Sequence, residues 1–281
     1  MTLRILVPTD FSPAAGAALT VVRAAFPQAR TELLHVVPSR SPLAAPLAAG
    51  GGGADPSARQ RLEALGGGTL VSGSPADEVL RRAREGGADL IALGRVGERG
   101  GGPGRVGAVA ERVLQGSSVP VLSVPVPSSP AAAPPTRALV LMDFSPGALA
   151  ALRFLERCWP GLEVHRLHVV DGNALETPFA LASLSAPLRG ASSWVLQQRN
   201  ALWEAEARQR LETLGGGEIA RGAPAEVALE RARGGEYAVL ALGASAKRGL
   251  DRLLFGSVAR RVVQHAPVPV LTARGAPGPT A

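Results

Sequence analysis

The residues best placed for polar chemistry are Asp10 and Asp143, each in the phrase Asp-Phe-Ser-Pro directly behind an apolar run. A carboxylate there can meet a ligand or accept the amides of the following turn, and both roles stay open. A second pair of segments is glycine-bearing. Gly94, Gly97 and Gly107 punctuate GRVGERGGGPGRVG, and Gly243, Ala246, Lys247, Gly256 and Ser257 punctuate GASAKRGLDRLLFGS. Glycine lets main-chain N–H groups approach phosphate oxygens with no Cβ in the way, and a helix beginning at Gly107 or Gly256 offers its positive end. Lys247 and Arg248 add cationic charge. Other chemistries lack residues. Cys158 is the only cysteine, which excludes an intrachain disulfide and a cysteine zinc site. His165 and His168, three apart on a strand, point to opposite faces and do not share a metal. His35 and His168 recur before paired valines and are expected to bond locally. Lys247 is followed by Arg248, so no Walker loop is present, and the first strand lacks a G-x-G-x-x-G fingerprint. No activated nucleophile or acid–base couple is visible, so no catalytic or metal residues are assigned.

These residues recur because the chain repeats itself. Asp10 and Asp143 lie 133 apart, as do Leu34-His35-Val36-Val37 and Leu167-His168-Val169-Val170. Further on the offset is 149, aligning RQRLEALGGG from Arg59 with RQRLETLGGG from Arg208, and Val119-Pro120-Val121-Leu122 with Val268-Pro269-Val270-Leu271. The second copy therefore carries 16 extra residues between His168 and Arg208, a region holding Trp194 and Trp203. The reading is a first domain over 1–126, a Pro-rich linker over 127–136, a second domain over 137–274 and a flexible tail over 275–281.

Short apolar runs alternate with longer amphipathic stretches, the pattern of βα units around a parallel sheet. Strands are predicted at 3–9, 31–37, 68–72, 89–94 and 119–124, and again at 137–143, 162–170, 217–221, 237–243 and 268–273. Ser12-Pro13 and Ser145-Pro146 read as helix starts, as do Pro75 and Pro224. Gly66-Gly67-Gly68 and Gly215-Gly216-Gly217 read as helix stops. In such a sheet, ligands collect beyond the carboxyl ends of the strands where the winding reverses, which selects the aspartates and the glycine loops.

Composition narrows the function classes. At 281 residues, 46% apolar and 19% charged, the chain can bury two cores, built from small aliphatic residues because aromatics make up only 4%. The net charge of +7 is carried by arginine spread along the chain, with Lys247 the sole lysine and no interleaved aromatics, so nucleic acid is not the expected partner. No uninterrupted apolar stretch of about 18 residues suits a membrane span, and a soluble cytoplasmic protein is expected.

As a set, the Gly-x2-Gly-x9-Gly loop, the aspartate of Asp-Phe-Ser-Pro and the final Pro-Val-Leu strand resemble the universal stress protein family, twice over nearly the whole chain. The resemblance implies an α/β fold: two tandem, five-stranded, parallel, Rossmann-like nucleotide-binding sheets of strand order 3-2-1-4-5, with helices on both faces. One branch of that family binds ATP and another does not. In binding members, Asp10 and Asp143 and the residues near the second strand's end (Val36, Val37, Val169, Val170) would flank adenine. The loop amides and Ser257 would hold ribose and phosphates. The copies depart from the pattern differently: Ala108 replaces a hydroxyl in the first, Ala246 a glycine in the second, and the second is favoured. The implied function is a stress-response sensor or scaffold binding ATP, with magnesium, or a related adenine nucleotide in at least one domain. The alternative is a structural or interaction module without nucleotide, and a weak ATPase or phosphotransferase ranks third. The resemblance also implies a pseudo-dimer packed through the last strands, Val119–Val124 against Val268–Ala273, with homodimerisation a further option.

Overall fold

Each apolar run becomes a strand and each capped amphipathic stretch a helix. The computed structural model describes residues 2–38, 56–97, 104–126, 136–159, 161–170, 193–244 and 255–275. The first unit runs β1 (Arg4–Pro8), α1 (Pro13–Ala25), β2 (Arg30–Pro38), α2 (Pro56–Ala64), β3 (Thr69–Gly73), α3 (Pro75–Glu85), β4 (Leu90–Gly94), α4 (Ala108–Gly116) and β5 (Val121–Val124). The second runs β6 (Arg137–Leu141), α5 (Pro146–Cys158), β7 (Glu163–Val170), α6 (Ser193–Thr213), β8 (Glu218–Arg221), α7 (Pro224–Arg233), β9 (Val239–Gly243), α8 (Ser257–His265) and β10 (Val270–Ala273).

The strand order is β3-β2-β1-β4-β5-β10-β9-β6-β7-β8. Each unit is thus a parallel 3-2-1-4-5 sheet. The two sheets are not separate, however, because β5 and β10 pair antiparallel, with Leu122 opposite Leu271, and fuse them into one sheet of ten strands. Strand alternation sends Ile5 and Val7 to the face covered by α1 and α2, and Leu6 to the face covered by α3 and α4. Both apolar layers run across the seam into the second unit, so the core is continuous on either side of the sheet.

Local chemistry sets the helix boundaries. Ser12 Oγ accepts from Ala15 N and Ser145 Oγ from Ala148 N, both at 3.2 Å, with proline in the first turn. At Ser74 and Ala223 the proline start is kept without a side-chain cap bond. Gly66 and Gly67 end α2, and Gly215 and Gly216 end α6, all at positive φ.

Equivalent positions also meet across the seam on both faces of the sheet. Phe26 and Trp159, the residues that follow α1 and α5, meet with ring centroids 4.8 Å apart and planes tilted by 59°. Glu111 of α4 pairs with Arg260 of α8 at 3.2 Å.

At the opposite edge the units satisfy one need differently. In unit 1, Glu32 on β2 receives Arg82 of α3 at 2.7 Å and Thr69 at 3.3 Å. In unit 2, His165 stands at the position of Glu32 and the carboxylate has moved one strand over to Glu218, which takes both Nη atoms of Arg231 at 2.5 and 2.9 Å. His165 Nδ1 instead meets the buried Tyr237 hydroxyl at 2.6 Å. The Arg231 hydrogen bonds hold the Glu218 carboxyl below its ordinary value against the opposing effect of burial. A depressed native value means stability that is present above the ordinary carboxylate range and is lost as pH falls through the native value. Urea midpoints followed downward from about pH 5 should therefore fall more steeply for the wild type than for Glu218→Gln. Parallel curves would show that the pair carries no acid-linked stability.

Candidate functional site

The β1–α1 and β6–α5 turns are built alike. Asp10 Oδ1 accepts from Ser12 N and Asp143 Oδ1 from Ser145 N, each at 3.0 Å, so both aspartates brace the turn that starts the helix. Between them and the serines, Phe11 and Phe144 adopt φ of 63° and 58°. A non-glycine residue in the left-handed region costs about 1 kcal/mol, so the surroundings must hold it. They do so through a stack found in both units. Phe11 lies 4.6 Å from the His35 ring with the Arg61 guanidinium 4.1 Å from its centroid; Phe144 lies 5.0 Å from His168 with Arg210 at 5.4 Å. His35 Nδ1 donates to Thr9 O at 2.7 Å and His168 Nδ1 to Met142 O at 2.6 Å, which fixes the tautomer and ties the second strand to the end of the first. The histidines thus bond locally. The Arg–Phe–His stack was not singled out from sequence, although its signal was there: Phe, His and Arg all recur at the repeat offsets.

The glycine loops return to these turns. In unit 1, Gly107 N donates to Arg95 O at 2.9 Å; in unit 2, Gly256 N donates to Ala244 O at 3.1 Å. Each loop is thereby closed at its base, and its last glycine becomes the N-cap of α4 or α8, with no side-chain cap. A Cβ on Gly97 would stand 2.7 Å from Asp10 Oδ2, and one on Gly107 would stand 3.3 Å from Gly97 N. Gly97 therefore lies against both Asp10 and Gly107, with no space for a side chain at Gly97 and little at Gly107. Gly94 and Gly243 do something else. A Cβ there would lie 2.6 Å from Ala14 C, or 2.8 Å from both Ala148 N and Ser145 Oγ, so these glycines let α1 and α5 dock on the strand ends.

The remaining predicted residues are placed unevenly. Val36 and Val37 pair with Val71 and Ser72, and Val169 and Val170 with Ala220 and Arg221, within the last turns of the β2–β3 and β7–β8 ladders. Val36 belongs to the core and Val169 packs against it, so these side chains serve the sheet as well as its carboxyl edge. Ser257 is exposed at the start of α8, whose first turn carries no acid; α4 has Glu111 in its first turn. Ala246 and Lys247 lie outside the described residues. A cavity of about 250 Å³ opens between α1 and α2, lined by Thr9, Phe11, Ala15, Leu19, Leu33 and Arg61 among others. It excludes Asp10 and the glycine loop and is smaller than the roughly 300–1,000 Å³ of ordinary ligand pockets. Among the described residues, no cluster of His, Cys, Asp and Glu suits a metal ion.

Comparison with curated proteins gives no match. Solved structures do match. A universal stress protein from Archaeoglobus fulgidus DSM 4304 is 20% identical with a TM-score of 0.63, over 97% of this chain and 98% of that one. A putative universal stress protein from Pseudomonas aeruginosa UCBPP-PA14 is 14% identical with a TM-score of 0.62, over 97% and 93%. At these identities the likeness concerns the fold. A universal stress protein in complex with cAMP is 23% identical over 43% of this chain and 96% of that one, with a TM-score of 0.32. The family model for universal stress proteins matches residues 1–125 and again residues 135–274. The chain therefore belongs to the universal stress protein family, and carries two of its units in tandem.

Proposed function

We propose that this protein binds ATP or a related adenine nucleotide in at least one unit, as a cytoplasmic sensor or scaffold in the stress response, with units over 1–126 and 137–274 joined by the segment 127–136. One observation carries the reading: at the carboxyl edge of each unit, a helix starts at a glycine without a side-chain cap, folded back onto the strand end beside an aspartate turn. First-turn amides of such a helix present partial positive charge to an anion. The donor set suits phosphate and ribose better in unit 2. There Ser257 adds an exposed hydroxyl, no acid occupies the first turn, and Lys247 supplies a cation in the sequence of the loop. Asp143, Val169 and Val170 would flank the base, and Gly243, Ala246, Lys247, Gly256 and Ser257 the sugar and phosphates. Asp10, Val36, Val37, Gly94, Gly97 and Gly107 form the weaker counterpart, where Glu111 opposes a bound anion. Magnesium would be held chiefly by the phosphates.

Denaturing the purified protein and analysing the supernatant should release an adenine nucleotide, and calorimetry with Mg-ATP should give heat on refilled protein. Release of none, together with no heat, removes the reading. The second reading is an interaction module without nucleotide. It is favoured by the work the aspartates and first loop glycines already do in the fold, bracing turns and admitting helices. No helix among the described residues is long and apolar enough to cross a membrane.

A further inference from the structure

The two glycine loops begin at equivalent positions with different residues, Arg95 and Ala244. Their backbones are tied identically: Arg95 N donates to Val124 O and Ala244 N to Ala273 O, and each carbonyl accepts the amide of the closing glycine. Only Arg95 has a side chain that leaves the unit. Its Nη1 crosses the seam to Ala266 O at 2.7 Å and Val263 O at 3.2 Å, the carbonyls at the C-terminal end of α8. Those carbonyls have no partner within the helix, and the negative end of the helix dipole favours a cation there. A second contact joins the same loop to the same helix end. Gly104, at φ +77°, lies so close to His265 that a Cβ would stand 2.7 Å from the ring. The opposite cap is not equivalent, because Arg274, which bonds Gln115 O at the end of α4 at 2.7 Å, extends from the end of β10 and not from a glycine loop.

Resting on the reading that the glycine loops receive nucleotide, we propose that Arg95 is a positioning residue for the unit 1 loop, with unit 2 as its anchor. One residue then joins four things: the end of β5, the closing glycine of its own loop, and two carbonyls of the other unit. Gly107 stays where it is because Arg95 O stays where it is, and Arg95 is held by α8. The loop of unit 2 has no such tie at Ala244. At this position unit 1 is therefore completed by unit 2.

Hydrogen exchange on the full-length, nucleotide-free protein tests this. In Arg95→Ala, a peptide covering Gly107 should exchange about tenfold faster, as expected from loss of charge-assisted hydrogen bonds. Arg274→Ala removes the other cross-seam cap and should leave that peptide at the wild-type rate. If the end of α8 frays in Arg95→Ala while Gly107 keeps its protection, Arg95 is a helix cap only and the proposal fails. Arg95→Gln, which keeps most of the stem and one donor group, guards against a misfolded alanine variant. Its Gly107 peptide should exchange at an intermediate rate, and wild-type protection there with a frayed α8 also overturns the proposal. Mg-ATP calorimetry on the same proteins separates this inference from the function it rests on. A wild type that binds nothing ends the nucleotide reading, while the exchange data still decide the anchor. If the wild type binds, Arg95→Ala in a Gly256→Asp background should weaken the remaining site severalfold, and unchanged affinity overturns the ligand role.

Discussion

Gly256→Asp should lower affinity for Mg-ATP by a factor of about ten or more, corresponding to roughly 1.4 kcal/mol or above. The carboxylate would sit at the N-cap of α8, where it bonds first-turn amides and places negative charge against the phosphates. The informative part is what the substitution spares. Gly256 has φ of −60°, open to any residue, and aspartate is a better N-cap than an uncapped glycine. Thermal stability should therefore hold or rise while binding falls, separating loss of ligand from loss of fold. Gly107→Asp should reduce affinity less, because Glu111 already burdens the first turn of α4. Equal or reversed effects in a calorimetric titration would move the working site to unit 1.

Gly243→Val should destabilise the protein by about 3 kcal/mol, at the upper end of ordinary overpacking. The new Cβ would stand 2.8 Å from Ala148 N and Ser145 Oγ and 3.2 Å from Gly147 C, and the main chain of α5 cannot turn aside as a flexible side chain can. The Ser145 cap is in the way as well, so the helix start and the strand end would separate together. Gly16→Ala is the counter-case. This glycine lies inside α1 with nothing within 4 Å of an added Cβ, and the change should stabilise by roughly 0.5–1 kcal/mol. Urea denaturation of the two variants checks the contrast, and a tolerated Gly243→Val would mean that α5 does not dock as closely as described.

That contrast shows how far the sequence could be read. The strands were legible because a strand covered on both faces must be a nearly unbroken apolar run, and Leu90–Leu93 or Val239–Leu242 can be little else. The helix starts were legible because serine before proline has few other uses. What a glycine does was harder to see. Gly94 and Gly243 head the loop motif in the sequence, yet what their missing side chains admit is a helix of the same unit. Asp10 and Asp143 were read as ligand or turn residues, and the turn bonds are now explicit while contact with a base remains the proposal. Arg95 was passed over because nothing in its neighbourhood of the chain hints at a partner 171 residues away. Long-range polar contacts carry no periodicity, and the composition, crowded with arginine, hides the few that are specific.

The residues that meet across the seam bear on how the protein assembles. Were two identical units to associate through this edge, the two-fold axis would set each axial residue against itself, Glu111 against Glu111 or Arg260 against Arg260. Joined in one chain, the units oppose Glu111 to Arg260 and Phe26 to Trp159. Covalent linkage replaces a bimolecular encounter by a local effective concentration on the order of millimolar, which does not fall when the protein is diluted. The ten-stranded sheet is accordingly a property of the single chain at any cellular abundance, and like-charge contact at the axis disfavours pairing of a unit with its own copy from another chain.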